Sequence, residues 1–117
     1  MKLIDTSWLI ELLKKQVYEE GAISIITLIE VLRGIEASKR GKVKKLLEEC
    51  FNILNLDNKV IEIYCKLYNE LREKGELIPD ADLLVASTAL AHNLSLKSKD
   101  RHFDKLRSFG LKLEPVK

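Results

Sequence analysis

The chain has 117 residues, 46% hydrophobic and 32% charged, a size that suits one domain and a composition that excludes disorder. Lys and Arg number 20 against 18 Asp and Glu, a formal charge of +2. That balance excludes a generic polyanion-binding tail and leaves room for a local basic patch. No apolar run approaches the ~20 residues that a membrane span demands.

The opening MKLIDTS has no room for a signal-peptide apolar region, so a cytoplasmic chain is expected. KLID (2–5) reads as a buried parallel strand, followed by a helix over 7–15 with Ser7 or Thr6 as its N-cap. Gly21 breaks the chain, AISI (22–25) reads as a second strand, and Thr27 is placed to cap the helix LIEVLRGIEAS. Gly41 is the expected start of the next helix, KVKKLLEEC, and FNILNL (51–56) alternates towards a third strand. Asp57 or Asn58 caps a long helix through about residue 74, striped by Val60, Ile61, Tyr64, Leu67, Tyr68 and Leu71. Gly75 ends it, residues 80–93 form another helix, and LSLKS (94–98) is a fourth strand. KDRHFDKLRS then forms a short helix or turn, and LKLEPV forms a last strand that Pro115 keeps short or at an edge. Cys50 and Cys65 lie in apolar-periodic segments without CxxC spacing, which predicts buried free thiols in a reducing compartment.

Strands alternating with helices predict an α/β/α sandwich: a parallel sheet covered on both faces, forming one domain over residues 1–117. In such sheets ligands collect outside the carboxyl ends of the strands. Asp5 ends the first strand, Asp100 follows the fourth, Asp82 lies in the first turn of its helix, and Glu30 projects from the first turn of another. Four carboxylates converging there repel and raise one another's pKa, and a divalent cation removes that penalty. Hard oxygen ligands suit Mg²⁺ or Mn²⁺, and phosphodiester hydrolysis is the natural reaction for such a site. Asp80 and Asp82 point about 200° apart on a helix, so Asp80 after Pro79 is expected to cap while Asp82 faces the sheet with Val85, Ala86 and Ala89. The plainer alternative gives each acid a capping or turn role, with Thr27 and Glu30 forming a capping box.

The blocks LIDTSWLIELL, ISIITLIEVLRG and DLLVASTALAHNLSLKSKDRHF, with the terminal strand, resemble in order the motif blocks of PIN-domain ribonucleases, and among these the VapC-type toxins. The resemblance spans nearly the whole chain and implies a PIN-like sandwich with a mainly parallel sheet of about five strands. It carries the four acids onto Asp5, Glu30, Asp82 and Asp100 as catalytic metal ligands, with Thr6 and Ser98 supporting them through hydrogen bonds. It implies Mg²⁺- or Mn²⁺-dependent endonuclease action on single-stranded RNA without a covalent intermediate. Arg33, Lys97, Lys99 and Arg101 are the basic residues expected to contact RNA, Arg33 also contacting an antitoxin. A cognate antitoxin laid across the cleft and a homodimer built on the 58–74 helix are the implied partners. Some members carry a further acid two residues after the fourth; here His102 stands in that place, so no second-metal ligand is expected from it and it reads as a surface histidine. Phosphoaspartyl folds fit poorly, since Ser7 occupies the second acid position of a dehalogenase-like site and Asp57 is better spent on a cap. A catalytically silent PIN-like binding module is the main alternative.

Overall fold

The computed structural model describes residues 1–116. Its strands are β1 (Lys2–Ile4), β2 (Ala22–Ser24), β3 (Asn52–Leu54), β4 (Ser95–Lys97) and β5 (Leu113–Glu114). They form one sheet in the order β3-β2-β1-β4-β5, and every neighbouring pair is parallel. The two-residue period of a strand divides the core. Leu3 and Ala22 enter a cluster with Leu67, Leu83, Ala86 and Phe103, whereas the adjoining Ile4 and Ile23 enter another with Leu9, Leu28 and Leu47. The first cluster is covered by α4 (Asn58–Glu73), α5 (Asp80–Ala91) and a 3₁₀ helix (Arg101–Phe109), the second by α1 (Thr6–Lys15), α2 (Ile25–Arg33) and α3 (Ala37–Cys50). The three-layer α/β/α expectation therefore holds, as does the placement of the last strand at an edge beside Pro115.

Several helix starts differ from expectation. Asp57 caps α4 as expected, its Oδ1 accepting from Val60 N at 3.0 Å. The cap of α1 is Asp5 rather than Ser7 or Thr6. The cap of α2 is Ser24, whose Oγ accepts from Ile26 N at 3.0 Å, because the chain turns into helix directly from β2. Thr27 is therefore fully buried inside the helix and makes no capping box with Glu30. Gly41 lies within α3, which already begins at Ala37. Arg40 lies in that first turn: its guanidinium donates to Leu32 O and Ile35 O at 3.1 and 3.0 Å, tying the start of α3 to the end of α2 and the loop after it. Asp80 does not cap α5; Pro79 holds that position without a side-chain bond. Neither thiol is buried as expected: Cys50 is half-buried at the last residue of α3 and Cys65 lies off the apolar stripe of α4.

The segment between α1 and β2 is pinned by Glu19. Its carboxylate accepts from Trp8 Nε1 at 3.1 Å and from Lys97 Nζ at 3.1 Å, and lies 3.0 Å from Lys2 Nζ. Lys97 Nζ also stands 4.8 Å from the centre of the Trp8 ring. Gly21 follows closely, and there a Cβ would meet Lys2 O at 2.9 Å, so this approach admits only glycine without a shift. Burial opposes the Glu19 charge, yet hydrogen bonds from Lys2, Lys97 and Trp8 outweigh it and hold the carboxyl below the ordinary glutamate range. A lowered folded pKa contributes stability above the unfolded pKa, lost as pH falls through the folded value. Glu19→Gln is accordingly expected to cost about 1–3 kcal/mol at neutral pH and to flatten the acid limb of thermal stability. Calorimetry of both proteins between pH 3 and 7 checks this; parallel curves would contradict it.

Candidate metal centre

The strand order fixes where a site can form. From β1 the chain proceeds outward through β2 and β3, then returns to lay β4 and β5 on the other side of β1. The carboxyl ends of β1 and β4 flank that reversal, where helices diverge and leave a crevice. Asp5 leaves β1 there and Asp100 leaves β4 nearby, while α5 brings Asp82.

Asp5 is only 3% exposed. Its Oδ2 accepts from Ser98 Oγ at 2.6 Å and Ser7 Oγ at 2.9 Å, and its backbone N–H donates to Lys97 O at 3.0 Å. Ser98 Oγ also accepts from Asp100 N at 2.9 Å, so one hydroxyl ties the ends of β1 and β4 together. The second hydroxyl, Ser7 Oγ, lies 3.1 Å from Ser98 Oγ and accepts from Lys99 N at 2.9 Å. Sequence reasoning gave Ser7 a capping role and missed this one; its only signal was its place in the Asp-Thr-Ser turn.

Asp82, Asp100 and His102 each offer a ligand atom, all within 4.8 Å of one another. His102 Nδ1 stands 2.9 Å from Asp82 Oδ2 and 3.2 Å from Asp100 Oδ1. Burial raises the Asp82 pKa, and the charges of Asp100 and Asp5 push the same way against the His102 hydrogen bond. The His102 pKa is raised in turn, first by its bond to Asp82 and then by the charge of Asp100. Glu30, on α2, lies outside that cluster of three: Thr6 Oγ1 donates to its Oε1 at 2.7 Å and lies 3.1 Å from Thr27 Oγ1. Both expected supporting hydroxyls, Thr6 and Ser98, thus touch carboxylates of the predicted set. Asp100 and Asp5 both repel the Asp82 carboxylate, and a ring nitrogen stands beside Asp82 and Asp100; such a donor set suits a divalent cation, which relieves that repulsion on binding.

Other predicted residues are placed unevenly. Arg33 is 74% exposed and lies 3.9 Å from Glu30. Lys99 pairs with Glu11 at 2.8 Å, and Arg101 is exposed without an acidic partner among the described residues. Lys97 is committed to Glu19 and Trp8 instead of an open cleft. Asp80 stands apart from the cluster, with Tyr64 Oη donating to its Oδ1 at 2.7 Å. That bond, with burial, pushes the Tyr64 phenol up to about 12. A polar cleft of about 430 Å³ beside Asp100 is lined by Ser98, Lys99, Arg101, Asp104 and Arg107. A second groove of about 440 Å³, between α1 and α3, is apolar and lies away from the carboxylates.

The PIN domain family matches residues 2–108, and the chain belongs to it. Among individual relatives, Ribonuclease VapC1 of Methanocaldococcus jannaschii is 44% identical over 115 residues, 95% of this chain and 85% of the relative. Toxin FitB of Neisseria gonorrhoeae is 30% identical over 104 residues, 80% of this chain and 72% of the relative. Among solved structures, VapBC2 from Rickettsia felis bound to a promoter DNA fragment superposes with a TM-score of 0.84 at 24% identity, covering 99% of this chain and 98% of that one. VapBC-1 from nontypeable Haemophilus influenzae gives 0.81 at 24% identity, covering 97% and 96%. These two likenesses establish the fold. No helix among the described residues is long and apolar enough to cross a membrane.

Proposed function

We propose that this chain is a metal-dependent endoribonuclease that hydrolyses single-stranded RNA in the cytoplasm as the toxin of a toxin–antitoxin pair. The observation that carries the reading is the convergence of Asp82, Asp100 and His102 at the sheet's switch point, with Asp82 made costly to ionise by burial and by Asp100 and Asp5. The 44% identity to a ribonuclease along almost the full chain supports the substrate class.

Asp5, Glu30, Asp82 and Asp100 would hold Mg²⁺ or Mn²⁺, while Ser98 and Thr6 keep the Asp5 and Glu30 carboxylates turned inward. The bound cation supplies Lewis-acid activation of the phosphodiester and lowers the pKa of water. Arg101, Lys99 and Arg107 along the polar cleft would take the phosphates of the strand, with exposed Arg33 beside Glu30 as a further contact. The relatives solved as VapBC assemblies support an antitoxin as partner. The apolar groove edged by exposed Val17, Tyr18 and Leu46 is a surface such a partner would cover. A homodimer through α4 would bury Ile61, now 48% exposed, beside Tyr64 and Tyr68. Residues 1–117 act as one domain in this reading.

The test is metal withdrawal. Cleavage of a fluorogenic single-stranded RNA is expected in Mg²⁺ or Mn²⁺, lost in EDTA, and restored when the ion is returned. RNA cleavage that survives EDTA would defeat the reading. Bound RNA that stays intact with metal present would leave the silent binding module ahead.

A further inference from the structure

We propose that His102 is a nitrogen ligand of the metal, and that it biases this site towards Mn²⁺ over Mg²⁺. The inference rests on the metal-dependent reading above and concerns what this chain adds to it. His102 Nδ1 is 2.9 Å from Asp82 Oδ2 and 3.2 Å from Asp100 Oδ1. Adjacent donors around an octahedral ion, each ~2.1–2.2 Å from it, are about 3.0 Å apart. The ring nitrogen therefore stands at ligand spacing from two carboxylates on different elements, α5 and the turn after β4.

The placement has a local cause. Asp100 Oδ1 accepts from His102 N at 2.9 Å, a turn that starts the 3₁₀ helix and returns the ring over the carboxylates. Phe103, fully buried at the next position, anchors the turn against the core. Mg²⁺ favours an all-oxygen shell, whereas imidazole suits transition ions and Mn²⁺ accepts both. On metal binding Nδ1 would release the proton it shares with Asp82 and present its lone pair to the ion, leaving a neutral ring with its remaining proton on Nε2.

The chain holds two histidines, and the other, His92, lies 3.7 Å from Asp57, which makes a nitrogen signal assignable. Pulsed electron paramagnetic resonance of the Mn²⁺-loaded chain is expected to show imidazole ¹⁴N coupling. The coupling should persist in His92→Gln and vanish in His102→Gln. Calorimetry should show Mn²⁺ affinity falling about 10-fold or more in His102→Gln, at least the loss that follows removal of a ligand's orienting partner, with little change for Mg²⁺. In His102→Asp an all-oxygen set returns, so coupling should be absent and the Mn²⁺ preference reduced. Mn²⁺ bound without ¹⁴N coupling, or with coupling that survives His102→Gln, overturns the ligation and leaves the metal-dependent reading standing. Mg²⁺ bound without Mn²⁺ overturns the proposal alone, and binding of neither ion overturns both.

Discussion

Asp82→Asn is expected to lower RNA cleavage at least about 100-fold, more than the ~10–100-fold that losing a ligand's orienting partner costs, while raising the unfolding temperature of the metal-free protein. The two effects share one cause. Burial disfavours the Asp82 carboxylate, and Asp100 and Asp5 repel it, with only His102 opposing. A folded pKa raised above the unfolded value means that the group stabilises the fold below the unfolded pKa. That contribution is lost as pH rises through the folded value. At neutral pH the charge works against folding, so the uncharged isostere should help, and its advantage should shrink as the solution is acidified. Thermal scans in EDTA at neutral pH and near pH 4, beside cleavage assays in Mn²⁺, measure both sides. A variant that is inactive and also less stable at neutral pH would mean that the His102 contact matters more than burial and repulsion.

Ser98→Ala should cost about 10–100-fold in metal affinity and cleavage, although serine itself need not touch metal or RNA. Its hydroxyl donates to Asp5 Oδ2 at 2.6 Å and accepts from Asp100 N at 2.9 Å. Removing it frees the turn that carries Asp100 and leaves the buried Asp5 with Ser7 alone among side-chain donors. A loss of about 1–3 kcal/mol in stability should accompany this, because a buried carboxylate loses a charge-assisted bond. Ser98→Thr keeps the hydroxyl and should restore most of the affinity, as read by Mn²⁺ titration. If alanine and threonine variants bind Mn²⁺ alike, the serine has no orienting role.

How much of this was readable in the sequence depended on how local each interaction is. The Asp57 cap, the apolar stripe of α4 and the separation of Asp80 from Asp82 follow from helix geometry within a few residues. The structure sets Asp82 beside Asp100 and His102 and Asp80 against Tyr64. The cap of α2 was misplaced because Ser24 and Thr27 have equal chemistry for the role, and only the point where β2 turns into helix chooses between them. Glu30 had two readings at the sequence level, since a capping box and a site carboxylate look the same at three-residue spacing. The start of α2 at Ile25 puts Thr27 inside the helix and removes the box, while Thr6, 24 residues away, bonds the Glu30 carboxylate. His102 looked like a surface residue because its partner Asp82 is 20 positions distant on another element. Lys97 looked like a basic residue of the cleft; strand alternation sends it towards Trp8 and Glu19 instead. Pairwise contacts across the sheet's switch point carry information that no single segment holds.

If the acids gathered at the ends of β1 and β4 make the chain a nuclease, RNA cleavage depends on Asp5 and not on Asp80. Purified wild type, Asp5→Asn and Asp80→Asn are compared in one single-stranded RNA cleavage assay containing Mn²⁺. Cleavage by wild type and Asp80→Asn is expected, with near-complete loss in Asp5→Asn. Equal cleavage by all three would trace the activity to a contaminant, and loss in Asp80→Asn alone would place the working carboxylate against Tyr64 rather than at the switch point.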